Sequence, residues 1–168
     1  VWVETPSNPG LDLCDVAAVA EKVHKAGNLL VCDNTTMTPL GQRCLDLDAD
    51  LVVASDTKAV NGHSDLLMGH VASRDPELLA TVRKWRKLSG SIVGPMEAWL
   101  CQRGLQTLEL RFDRMCRSAQ AVAERFLGHP QLEALRYPGL PDDPGHALAK
   151  KQMRRFGSLV SLTFPDQE

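Results

Sequence analysis

Two short runs of consecutive apolar residues constrain this chain most. Leu29-Leu30-Val31-Cys32 stops at Asp33, and Leu51-Val52-Val53-Ala54 stops at Ser55. Strands covered on both faces read as unbroken apolar runs rather than alternating ones, so both segments fit buried parallel strands. Val1-Trp2-Val3-Glu4 reads as another short strand. It runs into Thr5-Pro6-Ser7-Asn8-Pro9-Gly10, where proline fixes φ and removes a backbone donor. Helical patterns lie between the strands. Asp12 offers an N-cap; Leu13, Val16, Ala17, Ala20 and Val23 follow at helical spacing up to Ala26, and Gly27-Asn28 closes the helix. The apolar piece His70-Val71-Ala72 pairs close by. Pro76 opens a helix through Leu78, Leu79, Val82 and Trp85 that ends before Ser89-Gly90. Strand alternating with helix is the grammar of an α/β domain.

Beyond residue 95 the pattern changes. Trp99, Leu100, Leu105, Leu108, Phe112, Met115, Ala119, Val122 and Phe126 drift along one side of what reads as a single helix over 95–127, kinked at Gly104. A loop follows over 137–145, then a helix over 146–154 and an alternating strand over 158–164. This last part reads as the start of a second α+β unit.

Composition removes several classes. The 168 residues carry 19 Lys+Arg against 21 Asp+Glu, which gives no broad basic field for nucleic acid. At 43% hydrophobic the chain is too apolar for disorder, yet no uninterrupted apolar run would span a bilayer. Cys14, Cys32, Cys44, Cys101 and Cys116 are scattered, with no C-x-x-C pair and no Cys/His spacing for a metal. Such thiols behave as small hydrophobes in a reducing cytoplasm. No G-x-G-x-x-G follows a strand and no P-loop occurs, which disfavours a nucleotide-binding protein. The sequence opens Val1-Trp2 without Met and stops just after a strand; it is expected to be a segment of a longer protein.

In an open α/β sheet, ligands sit beyond the carboxyl ends of the strands. Here those ends carry Asp33 and the run Ser55-Asp56-Thr57-Lys58. A lysine can form a Schiff base with a pyridinium aldehyde, and a carboxylate can keep its ring nitrogen protonated so that the ring accepts electrons. Ser55 and Thr57, alternate residues on an extended segment, would turn two hydroxyls to one face, where both could donate to a phosphate.

Several stretches, in order and at natural spacing, carry a resemblance. Glu4-Thr5-Pro6-Ser7-Asn8-Pro9, Asp33-Asn34-Thr35-Thr36-Met37-Thr38-Pro39 and Ser55-Asp56-Thr57-Lys58-Ala59-Val60-Asn61-Gly62-His63-Ser64-Asp65 resemble the Cys/Met-metabolism family of pyridoxal-phosphate enzymes. Arg103-Gly104-Leu105-Gln106-Thr107-Leu108 and Tyr137-Pro138-Gly139-Leu140 look like its later landmarks. The resemblance implies an aspartate-aminotransferase-like α/β fold, fold type I. Residues 1–115 would belong to its larger cofactor domain, with a mostly parallel sheet. Residues 116–168 would continue the long helix and begin the smaller α+β C-terminal domain.

The same resemblance implies roles. Lys58 would hold pyridoxal 5'-phosphate covalently and then move protons at the substrate carbons. Asp33 would pair with the pyridine nitrogen, Ser55 and Thr57 with the phosphate, and Asn8 with the ring oxygen and the substrate carboxylate side. His63 and Asp65 would support the loop after the lysine. His24, His70, His129 and His146 read as structural, and no metal is called for. The family's phosphate-gripping glycine-rich loop and ring-stacking aromatic would precede Val1, and its substrate-carboxylate arginine would follow Glu168. The implied reaction is trans-sulfuration on a small sulfur amino acid by a cytoplasmic homotetramer. Cystathionine gamma-lyase is favoured over cystathionine gamma-synthase and methionine gamma-lyase. The rival of another class is a non-catalytic piece serving only as an assembly module. Two departures stand out: Asp56 where most members carry a small residue, expected to face away from the site by alternation, and Ala59 in place of an aromatic. Thr36-Met37 also replaces the commoner Phe-Ala.

Overall fold

A computed structural model describes residues 1–165. Strands β1 (Trp2–Glu4), β2 (Val31–Asp33), β3 (Leu51–Ser55) and β4 (Gly69–Ala72) form one sheet in that order. The first three are parallel, with Glu4 beside Asp33 and Asp33 beside Val53. β4 runs antiparallel to β3, with Ala54 opposite His70 and Ser55 opposite Gly69. The mostly parallel sheet read from the apolar runs is therefore present. The apolar piece at residues 70–72 does pair with the second of those runs.

Residues that share a register share a face. Cys32, Val52 and Ala54 point to one face and are buried. Helix α1 (Val16–Lys25) covers that face through Val16, Ala20 and Val23, with Cys44 and Ala49 completing the cluster. On the opposite face Val31, Leu51 and Val53 are only half-buried, so the strands are not covered on both sides within this chain. The cap of α1 differs from expectation. Asp15, not Asp12, accepts the Ala18 amide at 3.1 Å, while Asp12 pairs with Arg136 at 3.1 Å. The Pro-rich loop closes on itself between Ser7 and Asp12, which delays the helix by one turn.

After β2 comes the short helix α2 (Thr38–Gly41), and helix α3 (Pro76–Ser89) follows the sequence reading, opened by Asp75 and closed at Gly90. The single helix expected over 95–127 is two. α4 (Pro95–Leu105) and α5 (Leu108–Phe126) are separated at Gln106-Thr107. The break follows a close packing contact. Gly104 lies so close to the Asn61 backbone that a Cβ there would sit 2.5 Å from the Asn61 carbonyl oxygen.

Beyond α5, β5 (Ala134–Arg136), which the sequence pattern did not show, pairs antiparallel with β6 (Ser161–Thr163). Between them lies α6 (His146–Gln152). α5 serves two cores. Leu108, Phe112 and Cys116 pack with Ala59, and Ala119 and Ala123 pack with Tyr137 and Leu140. Among the described residues no helix is long and apolar enough to cross a membrane.

A buried carboxyl group sits beside the β3–β4 pair. Asp56, continuing the covered face, is 2% exposed and accepts from His70 Nδ1 at 2.7 Å. That bond raises the His70 pKa above its ordinary value of 6.5, against the desolvation that would lower it. A pKa raised by folding adds stability below the unfolded value and loses it as pH rises through the folded one. His70 is thus expected to titrate above 6.5 by NMR and to fall back in Asp56→Asn. The stability gap between wild type and variant should narrow as pH rises past neutrality. For the helix junction, Gly104→Ala should lower stability by about 1–3 kcal/mol in thermal unfolding, because backbone cannot yield as a flexible side chain would.

Candidate active site

The parallel register brings three strand ends together. The 5–10 loop leaves β1, Asp33 ends β2, and Ser55 ends β3 beside it. Asp33, Val53 and Ser55 share the half-buried face of the sheet, and Asp56 turns to the other. Asp56 bonds to His70 on the covered face and so faces away from Asp33, as expected, although the turn and not alternation sets its direction.

Local hydrogen bonds fix this edge. Asp33 Oδ1 accepts the Thr35 amide at 2.9 Å, which leaves Oδ2 free to meet a ligand. Thr35 Oγ1 in turn accepts the Ser55 amide at 2.8 Å, and the Asn34 amide donates to the Val53 carbonyl at 2.9 Å. The loop after β2 is thus stitched to the end of β3. Behind it, Gln42 is fully buried. Its side-chain nitrogen donates to the Thr5 carbonyl at 3.2 Å, and its backbone carbonyl accepts from Asn34 Nδ2 at 2.8 Å.

After Ser55 the chain departs from the extended geometry expected of it. Residues 56–61 form a turn, not a strand. The Lys58 amide donates to the Ser55 carbonyl at 3.2 Å, and the Gly62 amide donates to the Lys58 carbonyl at 2.8 Å. The alternation argument for Ser55 and Thr57 therefore fails at Ser55, because a backbone that turns has no period of two. Thr57 Oγ1 exchanges bonds with Met68, accepting its amide at 3.2 Å and donating to its carbonyl at 3.3 Å. The Ser55 hydroxyl has no partner among the described residues.

Lys58 is exposed, and its ammonium pairs with no described carboxylate. It lines an open cleft of about 1000 Å³ between the turn and α5, with Thr57, Leu67, Leu110, Arg111 and Met115. Asn8 stands exposed on the loop after β1, and its side chain bonds to none of the other candidates. His63 is a loop histidine, its Nδ1 at 2.6 Å from the Asn61 carbonyl. Asp65 accepts from Asn61 at 2.8 Å and from Arg103 at 2.7 Å, and these bonds lower its pKa. Burial pushes up the pKa of Cys101 and Cys116, as suits inert thiols.

Sequence reasoning missed Thr35 and Arg111, which act on backbone groups and therefore leave no residue pattern. It also missed the Asp56–His70 pair. The register of β4 places His70 opposite Ala54, on the covered face beside the start of the turn where Asp56 lies.

The donors present suit pyridoxal phosphate. Among the described residues, the Lys58 side-chain nitrogen, one Asp33 carboxylate oxygen and the Ser55 hydroxyl have no partner, and they match an aldehyde, a ring nitrogen and a phosphate. The comparisons agree. The family model described as Cys/Met metabolism PLP-dependent enzyme matches residues 1–168. A Streptomyces coelicolor protein named "Putative cystathionine gamma-lyase" is 54% identical over 167 residues, covering 99% of this chain and 43% of its own. An L-methionine gamma-lyase of Treponema denticola is 43% identical, with 97% of this chain and 41% of its own covered. The structure of cystathionine gamma synthase from Xanthomonas oryzae pv. oryzae superposes with a TM-score of 0.97 at 42% identity. That superposition covers 100% of this chain and 43% of the synthase. The chain therefore spans less than half the length of these relatives. With strand ends, lysine turn and family model in agreement, this chain belongs to the Cys/Met metabolism family of pyridoxal-phosphate-dependent enzymes.

Proposed function

We propose that this chain is the cofactor-anchoring part of a trans-sulfuration enzyme acting on a small sulfur amino acid, with cystathionine gamma-lyase as the favoured activity. Elimination with water then converts cystathionine to cysteine, 2-oxobutanoate and ammonia. The observation that carries the reading is the free Lys58 amine on a turn beside the Asp33 and Ser55 strand ends. The 54% identity to a protein bearing the gamma-lyase name supports the choice of reaction. Cystathionine gamma-synthase, with cysteine displacing the acyl group of an O-acyl homoserine, is the second reading. The fit to the Xanthomonas synthase supports it.

Pyridoxal phosphate, when bound, supplies an aldehyde for amines and a ring that accepts electron density. Lys58 would anchor the cofactor through its side-chain nitrogen and would take and return protons at the substrate carbons. Asp33 holds a proton at the ring nitrogen through its free oxygen. Ser55 and Thr57 would hold the phosphate. Asn8 closes the ring side from the loop after β1. The exposed Leu67 and Leu110 at the cleft rim suit coverage by a second copy of the chain in a homotetramer. Five free cysteines suit a cytoplasmic setting. The proposed division of the chain at 115/116 falls within α5, just before its contacts pass from the core that includes Cys116 to the core that begins at Ala119.

In the intact protein, 2-oxobutanoate and ammonia released from cystathionine identify the lyase. Cystathionine formed from an O-acyl homoserine and cysteine identifies the synthase instead. Lys58→Ala should lower kcat by about 10³-fold or more and remove the visible absorbance of the bound cofactor. An unchanged spectrum would contradict the role given to Lys58. Thr35→Val should weaken cofactor binding and cost about 1–3 kcal/mol of stability, since the Ser55 amide loses its acceptor.

A further inference from the structure

The turn that carries Lys58 ends in carbonyl groups that the turn itself does not satisfy. The Gly62 amide reaches back to Lys58 and the Asn61 amide to Asp56, which leaves the carbonyls of Ala59 and Val60 without turn partners. Arg111, from α5, supplies the donors. Its Nη1 donates to the Ala59 carbonyl at 2.7 Å. Its Nη2 donates to Val60 at 3.0 Å and to Gly104 at 2.8 Å. Its Nε donates to Thr107 Oγ1 at 3.0 Å. No carboxylate pairs with it among the described residues. A planar fork with five N–H groups can meet three converging carbonyls; the point charge of a lysine cannot.

The turn is shaped around this group. A Cβ on Gly62 would lie 1.8 Å from Arg111 Nη1, and Gly62 has a φ of +74°. Any side chain there would both strain the backbone and expel the guanidinium. Two of the three carbonyls belong to the residues directly after Lys58, and Arg111 lines the same cleft as Lys58.

We propose that Arg111 is the positioning residue of the Lys58 turn, its guanidinium setting how the lysine amine is presented to the cofactor aldehyde. It touches neither substrate nor cofactor and works through Lys58, so the proposal rests on the role given to Lys58 above. A misplacement of about 1 Å can cost roughly 10²-fold in a reaction that depends on geometry. Lysine for arginine is therefore not a conservative change here.

The test uses the intact protein freed of cofactor, pyridoxal phosphate as probe, and sodium borohydride to fix it on lysine. Peptide mass identifies the labelled lysine. Arg111→Lys and Gly62→Ala, each with unchanged circular dichroism, should slow fixation at Lys58 by about tenfold or more. Exchange of the Gly62 amide in the cofactor-free protein should quicken in the same variants. Millimolar methylguanidinium, far below denaturing levels, should restore part of the rate in Arg111→Ala. Where Arg111→Ala does not fold, the other two variants decide. Fixation at the wild-type rate in either folded variant would overturn the proposal, even with faster exchange, since the contact would then be structural alone. Label on a lysine other than Lys58 in the unsubstituted protein overturns the Lys58 reading itself, and the two failures are told apart.

Discussion

Everything at the candidate site depends on the parallel register of β1, β2 and β3. Because Glu4, Asp33 and Val53 lie level, the chain leaves three neighbouring strands at one edge. A parallel pair needs a crossover between its strands, and the crossover from β1 to β2 is α1. The same helix buries one face of the sheet. The opposite face is left to carry Asp33 and Ser55. Burial and chemistry are thus divided between the two faces of three short strands.

Short strands need help to hold loops in place. Gln42 supplies some of it from behind. Its side-chain oxygen accepts from Gln152 Nε2 at 3.1 Å, so the loop after β1, the loop after β2 and α6 meet on one buried amide. The Met153–Gln42 bridge and the bond from the Arg154 amide to the Gly41 carbonyl add to the same seam. Tyr137 anchors the smaller unit. It is 1% exposed, its hydroxyl donates to the Gly157 carbonyl at 3.1 Å, and burial raises its pKa. Asp143 accepts the amides of Tyr137 and Gly145 and pairs with Arg136, turning the loop over 137–145 into a rigid link. The segments that carry chemistry are therefore braced by residues that take no part in it.

Elements whose cause is local were legible in the sequence. The apolar runs gave β2 and β3, the Pro and Gly stops gave both ends of α3, and the motif around Lys58 gave the family. Elements whose cause is a distant contact were not. The α4–α5 break lies just after Gly104 packs on Asn61, over forty residues away, and the unbroken apolar stripe read as one helix. β5 has three residues and needs β6 to exist. Asp12 and Asp15 are equivalent as caps by residue type, and the closed loop at Ser7 decides between them. At the site, Lys58, Asp33 and Ser55 were proposed by type and place, and the register sets Asp33 and Ser55 at neighbouring strand ends. The turn at 56–61 was not, because alternation was carried past the end of β3.

The central claim is that the strand-end edge receives pyridoxal phosphate in one orientation. A crystal structure of the intact protein with the cofactor bound tests it most directly. Lys58 Nζ should be joined to the aldehyde carbon, the Ser55 hydroxyl should lie on the phosphate, and Asp33 Oδ2 should lie within about 3 Å of the ring nitrogen. A ring nitrogen facing any other group, with Asp33 still bound only to the Thr35 amide, would contradict it.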